Sequence, residues 1–256
     1  MTTPVHQLLN LAGETALVAG GSKQVRYVSA SAMAEAGAEV VLIQGDQAIK
    51  NKIELLGRRA TIYSTESSSQ ASVTKLVSEI LADGHVIHVL VNCGSIESRN
   101  PFHSCPQNHR RETPFSHLTS TFQLFREVGK HMLTREPDSR SRRGSIINIS
   151  TSPHGTGLER PANAATNGGI TQLTKALSNE WAYRGIRVNA ISLHRLTDTV
   201  RRDETVKMGW ASQAEAGDLQ AQDDLKGSLL FFASPASGYV TGTTVTIDGA
   251  LGDCQE

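Results

Sequence analysis

Short β-branched runs alternate with longer stretches of helical period along the whole chain. The runs predict strands at 15–18, 39–43, 60–63, 86–91, 145–149, 187–191 and 244–247. Between them, apolar positions three and four apart predict helices at 28–36, 71–82, 115–134, 170–183 and 223–233. This alternation predicts an α/β fold, a single doubly wound parallel sheet of seven strands with helices on both faces. No composition shift or internal repeat marks a boundary, so residues 1–256 read as one domain. Two polar stretches break the pattern. Residues 136–144 read as a charged surface loop. Residues 196–222 follow the sixth strand, on the side where open sheets take ligands, and form a candidate substrate lid.

Composition narrows the function classes. With 38% hydrophobic and 20% charged residues, the chain is globular rather than disordered. Its 25 basic and 25 acidic side chains cancel, so no basic surplus points to nucleic acid or an acidic membrane surface. The longest apolar runs are strand-sized and too short to span a membrane. Three cysteines, Cys93, Cys105 and Cys254, show no CxxC spacing, which argues against a disulfide framework or a zinc site. No HExxH or carboxylate cluster suggests any other metal. The first residues lack a basic stretch leading into an apolar run, so the expected location is cytoplasmic. The expected partner is a small molecule.

The first strand runs into Ala19-Gly20-Gly21-Ser22-Lys23-Gln24-Val25-Arg26. Asn92-Cys93-Gly94 follows the fourth strand, and Gly144-Ser145-Ile146-Ile147-Asn148-Ile149-Ser150-Thr151 forms the fifth. Leu173-Thr174-Lys175-Ala176-Leu177 leads through Glu180-Trp181-Ala182 to Gly185-Ile186-Arg187-Val188-Asn189. In order and spacing these segments resemble the short-chain dehydrogenase/reductase superfamily over nearly the whole chain. Leu133-Thr134-Arg135-Glu136 and Ala176-Leu177-Ser178-Asn179-Glu180-Trp181 look most like its fungal deoxygluconate-type dehydrogenases. The resemblance implies a homotetramer or dimer packed through the helices at 115–134 and 170–183.

The resemblance also sets out where this chain departs. The family's acid/base tyrosine falls on Asn163 and its lysine on Asn167, and neither amide relays a proton at neutral pH. Its serine falls on Thr151, or on Ser150 if the next loop is one residue short. The relay asparagine falls on His117, and the glycine flanking the nicotinamide on His194. Gln24 and Arg26 replace the second and third glycines of the phosphate turn, where side chains fill space a dinucleotide needs. Gly20, Glu66, Asn92 and Thr197 match the remaining cofactor contacts as vestiges.

The residues expected around the pocket are Ser95, His117, Arg126, Ser150, Thr151, His154, Glu159, Arg160, Asn163, Asn167 and His194. Histidine titrates near neutrality, so His117, His154 and His194 are the best acid/base candidates. Arg126 sits nine residues beyond His117 on the same helix and reads as structural. The expectation is therefore a degenerate enzyme of fungal specialised metabolism, of the alkaloid-pathway kind. It would use no cofactor and catalyse a non-redox step such as Diels–Alder-type cyclisation, isomerisation or dehydration. Catalytic residues would be His117, Thr151, His194, Asn163 and Asn167. The alternatives are an NADPH-dependent reductase working without the tyrosine, with NADP(H) as the second choice of cofactor, and a non-catalytic metabolite- or partner-binding protein.

Overall fold

The computed structural model describes residues 3–65, 69–94, 114–151, 161–193 and 223–249. Its elements run α1 (Val5–Leu8), β1 (Thr15–Ala19), α2 (Lys23–Glu35), β2 (Glu39–Ile43), α3 (Gln47–Leu55), β3 (Ala60–Tyr63) and α4 (Gln70–Ala82). They continue with β4 (Val89–Asn92), α5 (Pro114–Thr134), β5 (Gly144–Thr151), α6 (Pro161–Trp181), β6 (Ile186–Leu193), α7 (Asp224–Ala233) and β7 (Thr244–Ile247). The strands form one seven-stranded sheet in the order β3-β2-β1-β4-β5-β6-β7. Every pairing is parallel. The doubly wound fold expected from the alternation is present.

Both faces of the sheet are covered, which explains why the strands read as continuous apolar runs. In β1 alternate residues sort to opposite layers. Ala16 and Val18 join the core under α2, α3 and α7, with Met33, Ile49, Ile53 and Phe232. Leu17 and Ala19 join the core under α4, α5 and α6, with Ile80, Phe125, Val128 and Trp181. Each large side chain buried in this way contributes roughly 1.5–3 kcal/mol. On α5, Phe122 stays exposed.

Where the elements differ from the sequence pattern, the cause is local chemistry. α2 begins at Lys23 rather than 28 because the Ser22 hydroxyl caps it, accepting the Val25 N–H at 3.3 Å. α3 was not predicted. Asp46 caps it by accepting the Ile49 N–H at 2.9 Å, and only Ile49 and Ile53 are buried along it. Two apolar positions four apart make too short a periodic signal. α6 starts at Pro161, nine residues before the periodic stretch, because proline suits a first helical position. The polar run after it, with Gly168 and Gly169, hides the helical period. β4 starts at Val89, later than the apolar run suggests.

Residues 86–88 instead tie the strand entry to its neighbours. The Thr15 N–H donates to His88 Nδ1 at 3.1 Å, and the Ile87 N–H donates to His131 Nε2 at 3.1 Å. A ring that accepts through its lone pair is neutral. Burial, then the nearby Arg135 guanidinium, lowers the His88 pKa to about 4, and His131 is lowered by the same two causes. A depressed histidine stabilises the fold above its unfolded pKa near 6.5, and that stability is lost as pH falls toward the folded value. Since His88 is half-buried, solvent screening brings its share to on the order of 1–2 kcal/mol. Urea midpoints should fall between pH 7 and 4.5 in the native chain and fall less in His88→Gln. Equal slopes would show that the ring does not couple to folding.

Candidate functional site

The strand order reverses between β1 and β4, and at this switch point an open α/β sheet places its ligand cleft. β1 runs straight into Gly20 and Gly21, both left-handed at φ +73° and +72°. Only glycine takes these angles without strain, so the backbone turns at once into the N-terminus of α2. The turn is held from below, where the Cys93 N–H donates to the Ala19 carbonyl at 2.8 Å. It is held from the side by Arg26, whose guanidinium donates to the carbonyls of Gly20 and Gly21 at 3.1 and 3.2 Å. The side chain at the family's third glycine position thus folds back onto the turn.

Beside the turn lies a cleft of about 170 Å³ lined by Gly20, Gly21, Ile43, Gln44, Val73, Asn92, Gly94 and Leu124. Its apolar wall comes from β2, α4 and α5, and its polar floor from Asn92. The Asn92 amide donates to Asn148 Oδ1 at 2.8 Å and to Thr121 Oγ1 at 3.2 Å, and the Asn148 amide donates to Thr174 Oγ1 at 3.2 Å. This buried chain ties β4, β5, α5 and α6 together, so the cleft floor is rigid.

The outer corner carries charge. Lys23 Nζ sits 2.8 Å from Asp46 Oδ2, between the glycine turn and the end of β2. The hydrogen bond from Lys23, then the Ile49 N–H, holds the Asp46 carboxyl below its ordinary range. Four buried polar atoms at this end of the sheet have no partner among the described residues: Gln24 Nε2, Arg26 Nε, Ser150 Oγ and Ser192 Oγ. Ser150 and Ser192 are registered neighbours on β5 and β6. Unpaired buried polar groups are rare in folded proteins.

The structure brings together only part of the expected set. Gly20 and Asn92 line the cleft. Thr151 ends β5 opposite Leu193, and Asn163 and Asn167 lie one helical turn apart on α6. Asn167 is buried. His117 falls in the first turn of α5. His194, His154, Glu66, Thr197, Ser95, Glu159, Arg160 and the stretch 196–222 lie outside the described residues. Arg126 pairs with its chain neighbour Glu127 at 3.1 Å. Cys93 is no nucleophile, because burial pushes its thiol up to about 12. Among the described residues no group of acidic, histidine or cysteine side chains suits a metal. Sequence reasoning missed the Lys23–Asp46 pair, the Asn92–Asn148–Thr174 chain and the back-folded Arg26.

Comparison with known proteins tests the chemistry expected of this site. The family model described as enoyl-(acyl carrier protein) reductase matches residues 26–251. The 2-dehydro-3-deoxy-D-gluconate 5-dehydrogenase of Pseudoalteromonas atlantica is 30% identical over 249 residues, covering 94% of this chain and 96% of the relative. The Bacillus subtilis enzyme of the same name is 31% identical over 254 residues, covering 96% and 97%. A gluconate 5-dehydrogenase of Burkholderia cenocepacia J2315, solved with NADP and tartrate, superposes with a TM-score of 0.84 at 26% identity, covering 97% and 98%. These relatives correct the expectation of a cofactor-free, non-redox cyclase or isomerase. They are named as dehydrogenases, and the solved one holds NADP. The cofactor-free part of that expectation rested on Gln24 and Arg26 filling the phosphate turn, and the Arg26 side chain packs against the turn's carbonyls; the non-redox part rested on Asn163 and Asn167 in place of the tyrosine and lysine. The parallel seven-stranded sheet, the glycine turn at its switch point and a family match over most of the length agree, and the chain belongs to the short-chain dehydrogenase/reductase superfamily.

Proposed function

We propose that this protein is an NADP(H)-dependent oxidoreductase that works without a tyrosine acid. The observation that carries the reading is the glycine turn. Gly20 and Gly21 leave the backbone bare at the N-terminus of α2, and the unpaired Gln24 Nε2 and Arg26 Nε lie in the first turn of that helix. Helix N–H groups, a guanidinium and an amide donor suit a pyrophosphate. When bound, the dinucleotide supplies the hydride. The apolar wall of Ile43, Val73 and Leu124 suits an adenine ring.

The corner at Lys23 and Asp46 favours the 2′-phosphate form. Lys23 is exposed beside the positive end of the α2 dipole, where a phosphate is attracted. Around the reacting bond, this chain's residues orient rather than titrate. Thr151 ends β5 with a hydroxyl, while Asn163 and Asn167 offer amides that donate hydrogen bonds but keep their protons. The substrate class that fits is one whose reduction takes hydride without a proton from the protein. A cationic C=N bond, which becomes an amine on gaining hydride alone, is the clearest case.

Fluorescence titration of the full chain with NADPH and NADH tests the cofactor reading. NADPH should bind saturably and at least about tenfold tighter than NADH, roughly 1.4 kcal/mol. Lys23→Glu should erase that preference. No saturable binding of either nucleotide up to millimolar concentration sinks the proposal.

A further inference from the structure

We propose that the opposite end of the sheet carries a second site, for a small multiply charged oxyanion such as phosphate or the phosphate group of a small metabolite. Where the strands begin, a cavity of about 220 Å³ opens between the residues that precede β1 and β4, the loop before β5, and the end of α7. Arg135, Arg142, Arg143 and Arg187 line it together with only two carboxylates, Glu14 and Asp138. His88 also lines it, and its ring is neutral because it accepts the Thr15 N–H. The cavity therefore carries a formal surplus of two positive charges.

The guanidinium groups are fixed in place without being neutralised. Arg135 donates to the carbonyls of Ile87 and Arg143, and Arg143 donates to the carbonyls of Arg135 and Arg184 at 2.8 Å each. Arg187 is 8% exposed, on β6. It donates to the Phe232 carbonyl at 2.8 Å, the Ser234 carbonyl at 3.2 Å and the Ser237 hydroxyl. Among the described residues, no carboxylate lies within ion-pair distance of Arg187. Only Arg142 has such a partner, Asp138. Carbonyls orient a guanidinium but leave its charge, and a buried charge without a counter-ion is costly.

Glu14 records the field in this cavity. Burial raises its carboxyl, while Arg142, Arg135 and Arg187 pull it back down. Burial and then Arg142 push Arg187 down to about 10, as expected for cations facing one another across a shared space. Preorganised arginines with spare donors suit the several acceptor oxygens of a phosphate. The cavity also lies at the far end of the strands from the glycine turn, so a ligand here touches none of the groups that hold NADP(H).

The experiment is thermal denaturation and calorimetry of the full chain with inorganic phosphate, against potassium chloride at equal ionic strength. Phosphate should stabilise saturably, with half-effect at or below the millimolar range. Arg142→Gln should weaken phosphate at least tenfold and leave NADPH titration unchanged, which separates this site from the cofactor cleft. Glu14→Gln removes a competing negative charge and should tighten phosphate several-fold, a gain that damaged folding does not produce. If phosphate and chloride act alike, or if both variants bind phosphate like the native chain, the arginines only clamp the strand ends and the site does not exist.

Discussion

Asn163→Tyr combined with Asn167→Lys is expected to raise NADPH-dependent carbonyl reduction by about a hundredfold or more, the usual contribution of a positioned acid. The two positions lie one turn apart on α6, a helix that begins at Pro161 and packs against β5 and β6. Side chains four apart on a helix meet on one face. Amides cannot protonate the alkoxide that hydride transfer creates. A tyrosine alone helps little, because a phenol near its ordinary pKa of 10 is a weak acid at neutral pH. Position 167 is 2% exposed, so a lysine there is desolvated and its charge acts strongly on a neighbouring phenol. The double variant should therefore exceed the sum of the single variants. Rates with keto sugar acids, the substrate type for which the relatives are named, measure the gain. A folded double variant that binds NADPH and shows no increase over the native chain would mean that α6 does not face the nicotinamide.

Much of the fold was legible because both layers of helices bury the sheet. All eight residues of β6 and all five of β1 are buried, and strand-sized segments dominated by Val, Ile, Leu and Ala announce central parallel strands even where β6 carries Arg187, Asn189 and Ser192. Legibility failed where a polar cap rather than an apolar stripe defines an element. Ser22 starts α2 and Asp46 starts α3, and each is a single side-chain hydrogen bond that periodicity does not detect. It failed again at the start of α6, where Pro161 opens the helix and the polar run after it hides the helical period.

The site was legible by position and misjudged by chemistry. Gly20 and Asn92 line the cleft at the switch point, while His154, His194, Glu66 and Thr197 lie outside the described residues. The error came from treating Arg26 as a fixed volume in a glycine's place. A long side chain chooses its own direction, and this one finds two carbonyls in the turn itself. Nothing in a sequence states which way an arginine folds. The arginine cavity escaped notice for a related reason. Its members come from positions 135, 142, 143 and 187, with Glu14 far ahead in the chain, and only the parallel register of β1, β4, β5 and β6 brings them together. The tract 136–144 looked like an ordinary solvated loop, yet Arg142 and Arg143 face inward.

Gly21→Ala should be among the most damaging single changes in the chain, costing on the order of 3 kcal/mol or more. Two effects combine there. The residue sits at φ +72°, where an L side chain costs roughly 1–2 kcal/mol. Its new Cβ would also lie 2.7 Å from Cys93 Cβ and 2.9 Å from the Cys93 carbonyl carbon. Neither side can yield. Cys93 is wholly buried, its N–H is tied to the Ala19 carbonyl at 2.8 Å, and β4 is clamped between β1 and β5. Gly20 provides the control, since it has nearly the same angle, +73°, but its Cβ would find its nearest neighbour, Gly94, at an ordinary 3.5 Å. Gly20→Ala should thus cost only the backbone strain, about 1–2 kcal/mol, while placing a methyl group in the cleft and weakening NADPH. Urea denaturation of both variants measures the contrast. If Gly21→Ala proves no less stable than Gly20→Ala, the close seating of the turn on Cys93 is wrong, and with it the rigid cradle on which cofactor binding depends.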